Sequence, residues 1–168
     1  MNELGAGADA LSTALSHQGE VYGSLLDLAA REEQAIIDGD VGVLTAIVDQ
    51  QEQLLDVLRA LETERMTALT VIAAATGEDA DALTVTSVSS MLEGAERDAL
   101  MTLGVALRAQ AITLGHANER NSELLSNSRD IVDRWLHYLR SVVSSALTYT
   151  ASGERDEPGG NRVVDRSA

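Results

Sequence analysis

Apolar side chains recur at alternating intervals of four and three along most of this chain. Leu11, Leu15, Gln18, Tyr22, Leu25, Ala29, Glu32 and Ile36 form the first series. That spacing places all eight on one face of a helix and predicts one over about residues 9–38. Gln18 and Glu32 are weak points in the seam, and Leu26 and Leu28 widen it. The second series is Leu44, Ile47, Gln51, Leu54, Leu58, Leu61, Arg65, Ala68 and Ile72, predicting a helix over about residues 41–75 that stops at Gly77. Between the two lies a three-residue turn in which Gly39 can adopt the left-handed conformation and Asp40 can cap the next helix. So short a link makes the helices an antiparallel hairpin.

Residues 78–82 read as an acidic connector. Thr84 or Thr86 can cap a short helix reaching Glu93, and Gly94 invites a bend. Helical spacing resumes at Ala95 and continues to about Tyr149. Leu100, Leu103, Leu107, Ala111 and Leu114 make its first stripe; Leu125, Val132, Trp135, Leu136, Leu139, Val143 and Leu147 make its second. At 1.5 Å per residue the three long helices measure roughly 45, 52 and 80 Å. The last either kinks between Gly115 and Asn121 and folds back as a fourth helix, or continues past the hairpin. The continuous form is favoured, because one glycine inside a helix costs only about 1 kcal/mol.

The pattern therefore predicts an all-α protein: an antiparallel, coiled-coil-like bundle of three long helices, up-down-up, with a short extra helix before the third. Residues 1–151 form the bundle domain. Residues 152–168, with Gly153, Pro158, Gly159 and Gly160 among mixed charges, are expected to be a disordered tail.

Composition narrows the chemistry. Phe is absent and the aromatics are Tyr22, Trp135, Tyr138 and Tyr149, so Ala, Leu and Val must fill the core. There is no Cys, which excludes disulfides and thiolate metal sites. The formal charge of −15 is uneven: residues 1–81 carry 16 acidic and 3 basic side chains, while residues 82–151 carry 7 and 6. Such an acidic first half repels nucleic acid and anionic lipid, and leaves the near-neutral last helix as the better contact surface. The first ten residues lack the basic and apolar regions of a signal peptide, and no uncharged run approaches the roughly 20 residues that span a bilayer. The expectation is a cytoplasmic protein.

No catalytic motif emerges. His17, His116 and His137 are far apart, no phosphate-binding glycine loop or nucleophile elbow occurs, and the carboxylates follow the polar faces. The reading is not an enzyme, with no cofactor and no metal. Two features point to binding instead. Leu124, Ile131 and Tyr138 recur every seven residues beside the seam of Leu125, Val132, Leu136 and Leu139, making a stripe wider than one hairpin partner needs. A partner's amphipathic helix could lie there, or the stripe could simply cover the hairpin. Asn118 and Asn121 share one helix face, where they could fix helix register or touch a bound partner.

Three segments carry a family resemblance. The first holds Glu32, Gly39-Asp40, Leu44, Gln51, Leu54-Leu55, Leu58, Leu61-Glu62 and Arg65. The second is Leu83-Thr-Val-Thr-Ser-Val followed by Arg97, Leu100, Leu103 and Leu107. The third is Asn118-x-x-Asn121-x-x-Leu124-Leu125, ending in Tyr149-Thr-Ala-Ser-Gly153. In order and spacing these resemble the FlgN-type flagellar export chaperones. The resemblance implies a cytoplasmic chaperone for the hook–filament junction proteins FlgK and FlgL. Such a chaperone would bind their C-terminal helices, prevent early association, and deliver them to the export gate protein FlhA. Client contact would then fall on Asn118, Asn121, Leu124, Leu125, Ile131, Val132, Trp135, Leu136 and Leu139. The resemblance also associates Tyr149 with gate docking, with Tyr138 as a rival. Two alternatives stay open: another secretion chaperone of the FliT-like kind, or a coiled-coil scaffold that makes a homo-oligomer.

Overall fold

Only Gly39 and Asp40 separate the first two helices. A computed structural model describes the backbone of residues 3–147 and the side chains of residues 3–140. In it α1 is Glu3–Asp38 and α2 is Val41–Thr76. The inner ends of both helices fall where the sequence places them, at Asp38 and Val41. Gly39 has φ 69°, which a residue with a Cβ adopts only at a cost. The Gly39 N–H donates to Ile36 O at 3.2 Å and the Asp40 N–H to Ala35 O at 2.9 Å. These are the paired bonds of a Schellman C-cap. Asp40 then caps α2, its carboxylate accepting from the Val43 N–H at 3.0 Å. One helix is closed and the next opened within two residues.

α1 and α2 are 36 residues each. Gly7 lies against Ile72, Gln18 donates to Glu62 and Gln51 donates to Glu32. Numbers rise on one helix as they fall on the other, so the pair is antiparallel. α1 begins earlier than its heptads predict. Gly5 and Gly7 are poor helix formers, at about 1 kcal/mol each, but Leu4 and Ala8 pack into the cluster around Leu11, Leu69 and Ile72 and offset that cost. A Cβ added at Gly7 would come within 2.7 Å of Ile72 Cγ1, so the glycine lets the two helices approach.

That end of the hairpin is closed by the connector. Asp79 caps a single 3₁₀ turn, Ala80–Ala82. Thr84 caps α3, Val85–Ser90, through a capping box: Thr84 Oγ1 accepts from the Ser87 N–H at 3.1 Å and Ser87 Oγ from the Thr84 N–H at 2.8 Å. α3 stops short of Glu93. It buries Val88 completely, beside Leu83, Leu92 and Leu100. Two smaller clusters follow along the hairpin, one of Val21, Leu25 and Leu61, the other of Leu28, Ala35 and Ile47.

α4 is Gly94–Leu147, and its helical bonding continues through residues 115–121. The fold-back into a separate helix does not occur there. Its inner positions are Leu100, Leu103, Leu107, Gln110, Leu114, Ala117 and Asn121. Ala111, expected inside, is exposed. The reason is register: intervals of three and four bring Gln110 inward, and its amide donates to Gly19 O at 3.2 Å. Asn121 meets Ala29 in the same way. Residue numbers rise together on α1 and this stretch of α4, so the two run in the same direction.

The chain divides into two units, residues 1–125 and 126–168. Among the described residues, every core cluster lies in the first. Residues 152–168, expected to be disordered, lie outside the described residues.

Candidate functional site

The nine residues expected to contact a client divide between the two units. In the first, Asn118, Asn121 and Leu125 line one half-open cavity of about 290 Å³. α1 supplies Leu25 and Glu32 to it, α2 supplies Gln51 and Leu55, and α4 adds Leu114 and Ser122. Leu124 is half-buried nearby in sequence but does not line it.

Asn118 and Asn121, paired by the sequence reading, are separated by the fold. Asn118 is exposed, whereas Asn121 is only 2% exposed. The Asn121 amide donates to Ala29 O at 2.8 Å and to Glu32 Oε2 at 3.2 Å. Gln51 Nε2 donates to the same Glu32 oxygen at 3.0 Å. One carboxylate thus ties all three long helices together. Beside it Arg120 donates to Glu33 at 3.1 Å, an exposed pair that fixes the same register. Glu32 and Gln51 were legible only as polar breaks in two seams. Their meaning lies in facing each other.

Farther along the hairpin, Glu62 accepts from Arg65 Nε at 2.8 Å and Nη2 at 2.6 Å. The hydrogen bonds from Arg65 hold the Glu62 carboxyl below its ordinary value, against the opposing effect of partial burial. Gln18, the other polar break in α1, adds a long contact of 3.5 Å.

In the second unit the remaining candidates are exposed: Ile131 51%, Val132 56%, Trp135 61%, Leu136 45% and Leu139 47%. Tyr138 joins them, its ring edge-on to Trp135 at a centroid distance of 6.2 Å. At 100° per residue these six side chains cover an arc of about 160° on α4. Arg129, Asp130, Asp133, Arg134, His137 and Arg140 occupy the rest of the circumference, and Arg129 and Asp133 form a loose ion pair at 3.9 Å. The face is apolar without interruption for more than two turns. Tyr149 lies outside the described residues.

The rest of the chemistry is sparse. Among the described residues, no group of three or more His, Asp or Glu could hold a metal, and no helix is long and apolar enough to cross a membrane. What the geometry offers is a helical surface with one apolar face and one polar-floored notch. The family model described as FlgN protein matches residues 1–157. The chain belongs to the FlgN family. FlgN proteins are flagellar export chaperones rather than enzymes. Comparison with curated proteins finds no match, and neither does comparison with solved structures. This FlgN-family chain is therefore read below from its own residues.

Proposed function

We propose that this chain is a cytoplasmic export chaperone that binds the C-terminal helical region of the hook–filament junction proteins FlgK and FlgL. It keeps those helices from associating early and delivers them to the export gate protein FlhA. The supporting observation is the exposed face of Ile131, Val132, Trp135, Leu136, Tyr138 and Leu139. An apolar face of this width carries anchors at helical spacing, which suits an amphipathic helix laid alongside it. Trp135 and Tyr138 are the residue types that dominate binding energy in such contacts. α1, α2 and the first part of α4 serve as an up-down-up bundle that holds the helix. The client-binding set remains Asn118, Asn121, Leu124, Leu125, Ile131, Val132, Trp135, Leu136 and Leu139, with Tyr149 as the gate-docking residue.

Calorimetric titration of the full chain with the C-terminal segment of FlgK from the same genome tests this reading. Heat of binding and a complex on gel filtration are expected. Absence of both, with the chain alone sedimenting as a stable oligomer, would mean that the apolar face pairs with a second copy instead.

A further inference from the structure

From Ala99 to Gly115 α4 carries a single charge, Arg108, whereas residues 49–65 of α2, a stretch of equal length, carry seven. A helix that is apolar on every side is normally covered on every side. Here the inner face meets α1, but Met101, Val105 and Ile112 are exposed at 40%, 66% and 53%. They belong to a second seam with intervals of four and three: Gly94, Asp98, Met101, Val105, Arg108 and Ile112, all of them exposed. At 100° per residue the six fall within an arc of about 80°, nearly opposite the inner positions. Thr102, Ala109 and Gly115 beside the seam are small, so another helix can come close.

The seam is symmetric about Leu103. Asp98 and Arg108 lie five residues to either side, Met101 and Val105 two, and Gly94 and Ile112 nine. A second copy laid antiparallel on the first, with the two-fold axis at Leu103, therefore matches every position to its counterpart. Asp98 faces Arg108 of the partner subunit, about 7.5 Å along the helix from the axis. Met101 faces the partner subunit's Val105, and Gly94 leaves room for the partner subunit's Ile112. Among the described residues, neither Asp98 nor Arg108 has an ion-pair partner within its own chain. A closed homodimer requires this self-matching, whereas an unrelated protein does not. The acidic hairpin repels a second hairpin, so the near-neutral α4 is the element on which two copies can meet.

We infer that two copies of this chain pair through the outer face of α4, antiparallel about Leu103, with reciprocal Asp98–Arg108 ion pairs flanking a centre of Met101 and Val105. Two helices in contact over about five turns make a small interface, below about 1,200 Å², so the dimer is weak and reversible. The contact lies wholly within the first unit and does not rest on the client-binding reading.

Sedimentation equilibrium of the full chain, from micromolar to millimolar concentration, is the test. A monomer–dimer equilibrium is expected. Asp98→Arg alone or Arg108→Asp alone sets like charges opposite each other at both ends of the seam and should weaken the dimer about tenfold or more. The two exchanges combined restore opposite charges and should recover the affinity, which a merely structural loss would not. Val105→Asp should leave a monomer with unchanged circular dichroism, because Val105 is exposed. Trp135→Ala should leave the dimer intact. A chain that stays monomeric to millimolar concentration overturns the pairing, as does a folded double exchange that recovers nothing. So does a dimer that Val105→Asp leaves intact, above all one that Trp135→Ala abolishes, which would move self-association to the other apolar face.

Discussion

Leu100 and Trp135 lie on the same helix and follow the same spacing, yet one is completely buried and the other is 61% exposed. In the first unit, the inner apolar positions of α4 meet Leu11, Leu15 and Val88 and become core. In the second, an equally apolar face is left open to solvent. Periodicity shows where a side chain points, not whether anything waits there. The two stretches therefore differ in what a substitution should cost, and that difference can be measured.

The largest effect belongs to the closed end. Ile72→Ala removes a fully buried side chain and should lower unfolding free energy by about 2–5 kcal/mol in a urea titration. A value near zero would show that this end is not the core and would erase the contrast. Trp135→Ala should behave oppositely. Its stability should stay within about 0.5 kcal/mol of the natural chain, while client affinity falls by about 2 kcal/mol, the loss typical of a central aromatic anchor. Unfolding on that replacement would move Trp135 from contact surface to structure.

Smaller effects refine the first unit alone. Asp40→Ala should cost about 1 kcal/mol in the same titration, because the Val43 N–H loses its acceptor. Client affinity should not follow it, since the cap fixes the hairpin and not the exposed face. The smallest effect is a pH dependence. Arg65 lowers the Glu62 carboxyl, so its contribution is present above the ordinary carboxylate range and is lost as pH falls through the lowered folded value. Glu62 is half exposed, and solvent screening keeps that contribution to about 0.5 kcal/mol or less. The stability gap between the natural chain and Glu62→Gln should narrow on acidification. A gap that widens instead would mean that Arg65 is not the dominant partner.

Most of the hairpin was legible because its signals are local. Gly39 and Asp40 announce a left-handed residue and a cap, and the heptads on either side need only counting. The start of α1 was hidden because Gly5 and Gly7 argue against helix, whereas the contact of Gly7 with Ile72 depends on residues far away in sequence. Gln110 was hidden for a related reason. A polar amide next to Ala111 looks like the outer residue until Gly19 O is known to lie opposite it. The same holds for Glu32 and Gln51, which weaken two separate stripes on paper and form one hydrogen-bonded junction with Asn121 in space. The apolar face from Ile131 to Leu139 was visible as a stripe, but its exposure was not. Burial is a property of neighbours, and no spacing rule reports them.

Trp135 is the single tryptophan of the chain, and it stands on the exposed face with Tyr138 at its edge. The buried clusters contain none. Excitation at the red edge of the indole band therefore addresses one position only. Its emission should shift to the blue and resist quenching by iodide when that face is covered, and should ignore repacking around Leu11, Ile72 or Val88. The molecule carries its own optical gauge, placed where occupancy would be read.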